Sequence, residues 1–216
     1  SARDNRIRTM LEIEAFWDLH QRWQRLGYPF DYLVPSLATA LGSSGDRPTA
    51  LAELLGIVIN NGKRAPTIRI DELTFATNTP YHTEFRRQPS QAQQVLAPEV
   101  AAAVKAALQQ VVSDGTGRRL NNSYDSATVV IGGKTGTGDN RMVQLNAKGQ
   151  QISSKALNRT ATFVFYLGDQ HFGVLTAYVP DADSEQFSFT SALPLQVMNS
   201  MAPILRPYLA SENWCN

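Results

Sequence analysis

The sequence predicts an α+β domain, an antiparallel sheet flanked by helices. Apolar residues recur at helical spacing through the first half of the chain and again near its C-terminal end. The last third holds runs of β-branched and aromatic residues separated by turn signals. In chain order the elements read helix, helix, hairpin, helix, three strands, helix. The 216 residues are 43% hydrophobic and 18% charged, which supports one sizeable core and excludes a disordered chain.

Residues 6–26 read as a helix. Phe16, Leu19, Trp23 and Leu26 fall 3, 4 and 3 apart on one face, and Gly27 stops it. Trp17 and Trp23 are assigned to the core from that helix. Residues 29–44 are irregular, broken by Tyr28-Pro29 and Val34-Pro35. A second helix starts near Pro48, buries Leu51, Leu54, Leu55 and Val58, and ends at Asn60-Asn61-Gly62. Residues 67–76 read as two short strands around Asp71-Glu72, and 77–94 as a polar surface excursion. A third helix spans 98–112, with Val100, Val104, Leu108 and Val111 as its stripe and Glu99 near the positive end of its dipole. Residues 127–131 are β-branched. Residues 160–167 and 172–179 form a hairpin around Gly168-Asp169-Gln170-His171, and 139–158 is a long loop or an extended hairpin. The final helical segment is 190–209, with Pro194 in its first turn and Pro203 kinking or ending it.

Composition excludes several function classes. Lys+Arg 20 against Asp+Glu 19 leaves a net charge of +1, and no basic block marks a nucleic-acid surface. No apolar run approaches the ~18 residues of a membrane span, and the opening residues do not read as a signal peptide. No membrane contact is therefore expected from the chain itself. Cys215 is the single cysteine, so an internal disulfide is excluded. His20, His82 and His171 are scattered without metal-ligand spacing. Neither a metal nor a cofactor is expected.

The informative stretch is Ile131-Gly132-Gly133-Lys134-Thr135-Gly136-Thr137-Gly138. In a strand with an open edge, the Lys134 ammonium and the Thr135 hydroxyl are both within reach of a carboxylate. Gly136 removes a side chain, so a substrate backbone can approach. The N–H of Thr137 is then a candidate oxyanion donor, and a lysine at a crowded site exchanges protons readily. Three readings compete. One is an ordinary glycine-rich turn before a strand. A phosphate-binding loop needs a glycine five positions before Gly133, where Thr128 stands, so that reading fails. The third is the Lys-Thr-Gly strand of the penicillin-recognising serine enzymes.

Flanking segments favour the third. Val34-Pro35-Ser36-Leu37-Ala38-Thr39-Ala40-Leu41-Gly42 is similar, with an insertion, to a segment of penicillin-binding protein transpeptidase domains. Thr49-Ala50-Leu51-Ala52-Glu53 through Ile59-Asn60-Asn61-Gly62 resembles the helix that follows it. Val95-Leu96-Ala97-Pro98-Glu99-Val100-Ala101 and Val111-Val112-Ser113-Asp114-Gly115-Thr116-Gly117 resemble the helix before the active strand. In order, they make nearly the whole chain resemble the C-terminal part of such a domain, especially in the bifunctional peptidoglycan synthases. The resemblance implies the penicillin-binding/β-lactamase-like fold, incomplete at the N-terminal side, over residues 1–216.

The family's nucleophile, the serine of Ser-x-x-Lys, has no counterpart. Asn60, Ala102, Ile131, Leu145 and Ile152 stand three before the five lysines, and none is serine. The resemblance places that serine upstream of Ser1. The second motif, Ser-x-Asn, is expected within residues 1–5, where Arg3-Asp4-Asn5 matches Ser-Asp-Asn with the serine replaced. Asn5 is carried over as the carboxamide that would meet the substrate amide. The competing reading is a frayed terminus.

By resemblance, the parent is a D,D-transpeptidase that cross-links peptidoglycan stem peptides through a serine acyl-enzyme and binds β-lactams. Lys134, Thr137 and Asn5 would be catalytic, and Thr135 and Gly136 would bind substrate. Asp139 and Arg141 are read first as a solvated loop and second as substrate contacts. Gly115-Thr116-Gly117 is read first as a helix stop and second as a cleft-lining loop. The resemblance also implies an extracytoplasmic, membrane-anchored parent, a partner N-terminal piece of the same protein and an upstream glycosyltransferase domain. Two alternatives are a β-lactamase or β-lactam sensor and a non-catalytic module that binds wall fragments or a protein.

Overall fold

The computed structural model describes residues 2–25, 27, 31–41, 47–88, 90–124 and 129–209. Ser1, Leu26, Tyr28-Pro29, Gly42 to Ser44, Ala127-Thr128 and Cys215, all used in the sequence reading, lie outside them. Helix α1 is Ala2–Arg25 and a 3-10 turn covers Leu37–Leu41. Helix α2 is Pro48–Ile59, followed by β1 (Lys63–Arg64), β2 (Glu72–Phe75), β3 (Thr83–Arg86) and β4 (Gln93–Gln94). Helix α3 is Pro98–Ser113, with a 3-10 turn at Arg118–Leu120. Strands β5 (Ile131–Leu145), β6 (Gln151–Leu167) and β7 (His171–Pro180) lead through a 3-10 turn at Ala182–Gln186 into helix α4 (Ala192–Leu209).

The antiparallel sheet β5-β6-β7 organises the molecule. Phe163, Val164, Phe165, Tyr166 and Leu167 are apolar without a break because helices cover both faces of β6 there. Phe163 and Leu167 join Ile131, Val112, Leu120, Tyr124, Leu195, Met198 and Ala202 in one core layer, with Phe165 packed against it. Tyr166 faces the other way, into a layer with Leu55, Val58 and Ile59 of α2, and Val164 packs beside it. Helix α3 serves both layers, through Val112 in one and Leu108 at the edge of the other. Both α2 and α3 begin with proline at the first helical turn, where its missing N–H costs nothing.

Four expectations need correction. Residues 67–76 hold one strand, not two. Its partner β3 lies inside the stretch read as an excursion, pairing Leu73 with Phe85 and Phe75 with Thr83. Alternation brings Leu73, Phe75 and Phe85 to one side, and the two rings meet edge-on at 6.0 Å. Trp17 is 64% exposed rather than core, and α1 buries no residue, although Phe16, Leu19 and Trp23 are half-buried on its expected face. The first helix begins at Ala2, so the expected second-motif residues 3–5 are helical. Finally, of the two options for Pro203, ending the helix is not taken: α4 runs through it to Leu209, the expected far bound. Its stripe of Leu195, Met198, Ala202, Leu205 and Leu209 packs on the sheet, and that tertiary contact outweighs the lost helical bond.

Of the two options for 139–158, the structure takes the extended hairpin. Strands β5 and β6 pair from Ile131↔Leu167 out to Leu145↔Gln151.

Candidate active site

Strand β5 lies at the edge of its sheet, so every second peptide group along it faces away from β6. Its glycines divide into two kinds. A Cβ at Gly132 would stand 2.4 Å from the Tyr166 ring, and one at Gly133 would stand 2.3 Å from the Val164 carbonyl oxygen. Those two glycines let β5 close onto β6. A Cβ at Gly136 would meet nothing within 4 Å. Packing does not demand that glycine, and the space beside it is open.

Side chains alternate along β5. Thr135 and Thr137 therefore share the face that carries Ile131, and Lys134 projects from the opposite face. Thr135 is buried, and its Oγ1 lies 2.6 Å from Oγ1 of Thr116. Thr116 reaches it because Gly115 and Gly117 wrap the end of α3: the Gly117 N–H donates to the Val111 carbonyl at 2.8 Å. The helix stop thus also carries the residue that meets Thr135. Thr137 Oγ1 accepts the Ser191 N–H at 2.8 Å, just before α4. The exposed Lys134 folds its ammonium back onto the Thr135 carbonyl at 2.8 Å. Lys134, Thr135, Gly136 and Thr137 are thus together on one open strand, with ammonium and hydroxyls on opposite faces. Asn5 is not brought to them by any hydrogen bond among the described residues. It is exposed on α1, where its carbonyl accepts from Thr9 Oγ1 at 3.0 Å.

The segment between β7 and α4 crosses the hairpin and is held along it. The Asp181 N–H donates to the Leu157 carbonyl at 2.7 Å, and the Ala156 N–H donates to Glu185 Oε1 at 3.3 Å. Arg159 Nε donates to the Phe189 carbonyl at 2.7 Å while its guanidinium stacks 5.5 Å from the Phe189 ring. With the Thr137–Ser191 bond, these contacts fix one wall beside the Thr135 face. Ser191 carries no recognisable motif, and only its distant partner Thr137 connects it to the site. Behind the Lys134 face, burial and the nearby Asp169 carboxylate push the Tyr166 phenol above its ordinary range. Its hydroxyl donates to the Lys105 carbonyl, and Lys105 itself pairs with Asp169 at 2.5 Å.

Among the described residues, no three His, Cys, Asp or Glu side chains are grouped to hold a metal ion. No helix among them is long and apolar enough to cross a membrane. The site is a strand edge carrying one ammonium, two seated hydroxyls and an open glycine. Those groups are able to hold an extended, anionic peptide.

Comparison with known proteins agrees on one family. Residues 24–199 match the family model of the penicillin binding protein transpeptidase domain. Penicillin-binding protein 1B of Escherichia coli (strain K12) is 30% identical over 122 residues, covering 56% of this chain and 14% of that protein. The Vibrio cholerae penicillin-binding protein 1B is 30% identical over 118 residues, covering 54% and 14%. The chain thus spans a small part of the curated relatives it matches. Penicillin-binding protein 1A from Haemophilus influenzae superposes with a TM-score of 0.58 at 20% identity, covering 91% of this chain and 32% of that one. Penicillin-binding protein 2B of Streptococcus pneumoniae (strain R6) gives 0.57 at 21%, covering 90% and 33%. At those identities the likeness speaks for the fold, and the family match speaks for descent: the chain belongs to the penicillin-binding protein transpeptidase domain family.

Proposed function

We propose that the chain is the C-terminal part of a peptidoglycan D,D-transpeptidase domain, with residues 1–216 completing a site whose nucleophilic serine lies on another segment. The observation that carries this reading is the open edge of β5, where Lys134-Thr135-Gly136-Thr137 lies beside space that no packing fills. The serine attacks the penultimate D-alanine carbonyl of a stem peptide, D-alanine leaves, and an amine of a neighbouring stem takes the acyl group. Lys134 swings from the Thr135 carbonyl to the substrate carboxylate and helps relay protons. Thr135 hydrogen-bonds the same carboxylate by turning from Thr116. Gly136 lets the peptide backbone lie along the strand, and the Thr137 N–H stabilises the oxyanion. Asn5 would meet the substrate amide once α1 is covered by the rest of the domain. β-Lactams bind as mimics of the dipeptide. The partners are then the stem peptide, β-lactams and the N-terminal part of the same protein, and the compartment is extracytoplasmic, with a membrane-anchored parent.

The test is penicillin acylation of the intact parent, read by denaturing mass. Lys134→Ala should lower the acylation rate about 10²–10³-fold, because it removes a charged contact to the transition state. Unchanged acylation would contradict the role of Lys134. A second reading, a non-catalytic module that binds wall fragments, draws on the absence of Ser-x-x-Lys from this chain and on the exposed helical position of Asn5. Stem-peptide binding by the parent with no penicillin adduct would favour it.

A further inference from the structure

The turn that ends α3 delivers a hydroxyl as well as stopping a helix. A Cβ at Gly115 would stand 2.9 Å from the Val111 carbonyl oxygen, and one at Gly117 would stand 3.1 Å from the same atom. Glycine at both positions lets the chain wind this closely against the helix end. The turn is anchored on both sides. Val112 before it and Leu120 after it are buried in the same core layer as Ile131 of β5. The Gly115 N–H donates to the Gln110 carbonyl at 3.1 Å, and the Leu120 N–H donates to the Gly117 carbonyl at 3.0 Å. Thr116, between the two glycines, is exposed, yet its Oγ1 is brought within 2.6 Å of Oγ1 of Thr135.

The direction of that bond decides what Thr135 can do. A hydroxyl has one proton and two lone pairs. If Thr135 donates to Thr116, its only proton is spent, and an incoming carboxylate meets lone pairs. If Thr116 donates, Thr135 accepts, and its own proton is free to point at the carboxylate. A hydrogen bond to an ionised group is roughly twice as strong as one between neutral groups, so a carboxylate selects the second arrangement. Thr116 loses nothing by it, because its exposed oxygen still faces solvent. Lys134 does not orient the Thr135 hydroxyl. Its ammonium lies on the Thr135 carbonyl, from the opposite face of the strand.

We propose that Thr116 is a positioning residue: it donates to Thr135 Oγ1 and so holds the Thr135 proton outward for a substrate carboxylate. The turn of Thr135 toward that carboxylate is then a rotation of its O–H bond alone, with Oγ1 kept in place. Each hydroxyl donates to the next oxygen in line, and the first bond strengthens the second. The ligand's identity as the C-terminal carboxylate of a stem peptide rests on the transpeptidase reading.

Equilibrium binding to the intact parent tests this with two probes, a peptide ending in D-alanyl-D-alanine and its C-terminal amide. The wild type should bind the acid at least about tenfold more tightly than the amide. Thr116→Val is isosteric and Thr116→Ala adds no bulk, and both lose the donor. Each should cut that ratio by at least about threefold. Thr116→Ser restores the hydroxyl and should keep the wild-type ratio. Adding Thr116→Val to Thr135→Val should change the ratio no further, because Thr116 acts through Thr135. An unchanged ratio in either hydroxyl-free variant overturns the proposal. So does a fall in Thr116→Ser as large as theirs, or a further fall in the double variant. Equal affinity of the wild type for acid and amide overturns it too. Every one of these results is compatible with a parent that reacts with penicillin, and the expected pattern is compatible with one that does not. Penicillin acylation therefore decides the transpeptidase reading separately.

Discussion

At the scale of single residues, the glycines of β5 separate folding from function. Gly132→Ala and Gly133→Ala would drive a methyl group into the Tyr166 ring and the Val164 carbonyl. Overpacking of this kind costs about 1–3 kcal/mol, and neither the sheet partner nor the core ring has room to yield. Both variants should melt well below the wild type. Gly136→Ala adds its methyl to open space, so its melting temperature should match the wild type within about 0.5 kcal/mol of stability. If a substrate backbone must lie on that edge, the same variant should acylate slowly with penicillin in the intact parent. Wild-type acylation there would remove Gly136 from the proposed site. The Gly-Gly-Lys-Thr-Gly-Thr string suggested the proposed chemistry. It did not announce the direction of each group. Period-two alternation puts Lys134 on one face and Thr135 on the other, and the seat of Thr135 against Thr116 depends on how α3 ends 19 residues earlier.

Elements with strong local periodicity were legible, and those held by distant partners were not. The bounds of helices α2 and α3 were foreseen closely, because proline at the first turn and a polar stop bracket each, but Val100 and Val104 of the expected α3 stripe are exposed and the helix buries Ala101 and Val112 instead. The β2–β3 pair was missed. Strand β3 is Thr-Glu-Phe-Arg, with no apolar run, and it forms only because Leu73 and Phe75 lie opposite it. The segment 181–191 was silent for the same reason, since the bonds that hold it on the hairpin go to residues 24 to 54 positions away. These differences predict a gradient of local stability. Helix α1 buries no residue, and every residue of β2 and β3 is exposed. An isolated two-stranded pair is marginal in water, and a helix held by few tertiary contacts opens easily. Native-state hydrogen exchange should therefore show amides of α1, β2 and β3 exchanging at least 100-fold faster than those of residues 161–167 in β6. Equal protection would mean that α1 and the small hairpin are secured by contacts the present packing lacks.

At the scale of the whole molecule, surface area and core chemistry both make demands. The chain exposes 15081 Å², whereas a compact monomer of 23.8 kDa exposes roughly 10,000 Å². Ile7, Met10, Leu11, Ile13 and Trp17 contribute to that excess. The chain by itself should bind a hydrophobic dye such as ANS and associate as its concentration rises; dye-negative, monodisperse behaviour would contradict the proposal that the rest of a transpeptidase domain covers it. Beneath that surface, Tyr124 ties the 3-10 turn after α3 to α4. It is 1% exposed, its hydroxyl donates to the Met198 carbonyl at 2.9 Å, and the neighbouring Arg206 and Ser123 are bonded to each other. Burial pushes the phenol up to about 12, with the Arg206 charge pulling weakly the other way. An unfolded tyrosine loses its proton near 10, so the folded state favours the neutral phenol. That contribution is complete below pH 10 and is lost as the pH rises toward 12, by roughly 2–3 kcal/mol for a shift of this size. Tyr124→Phe should cost about 1 kcal/mol at pH 8, where it deletes the bond to Met198, yet it should escape the alkaline loss. Urea unfolding measured from pH 8 to 12 should therefore bring the two stability curves together and then cross them. Tyr166, also raised, bends both curves alike and cancels in their difference. Parallel curves across that range would mean that the Tyr124 phenol titrates at the same pH folded and unfolded, and that the α4 contact does not desolvate it.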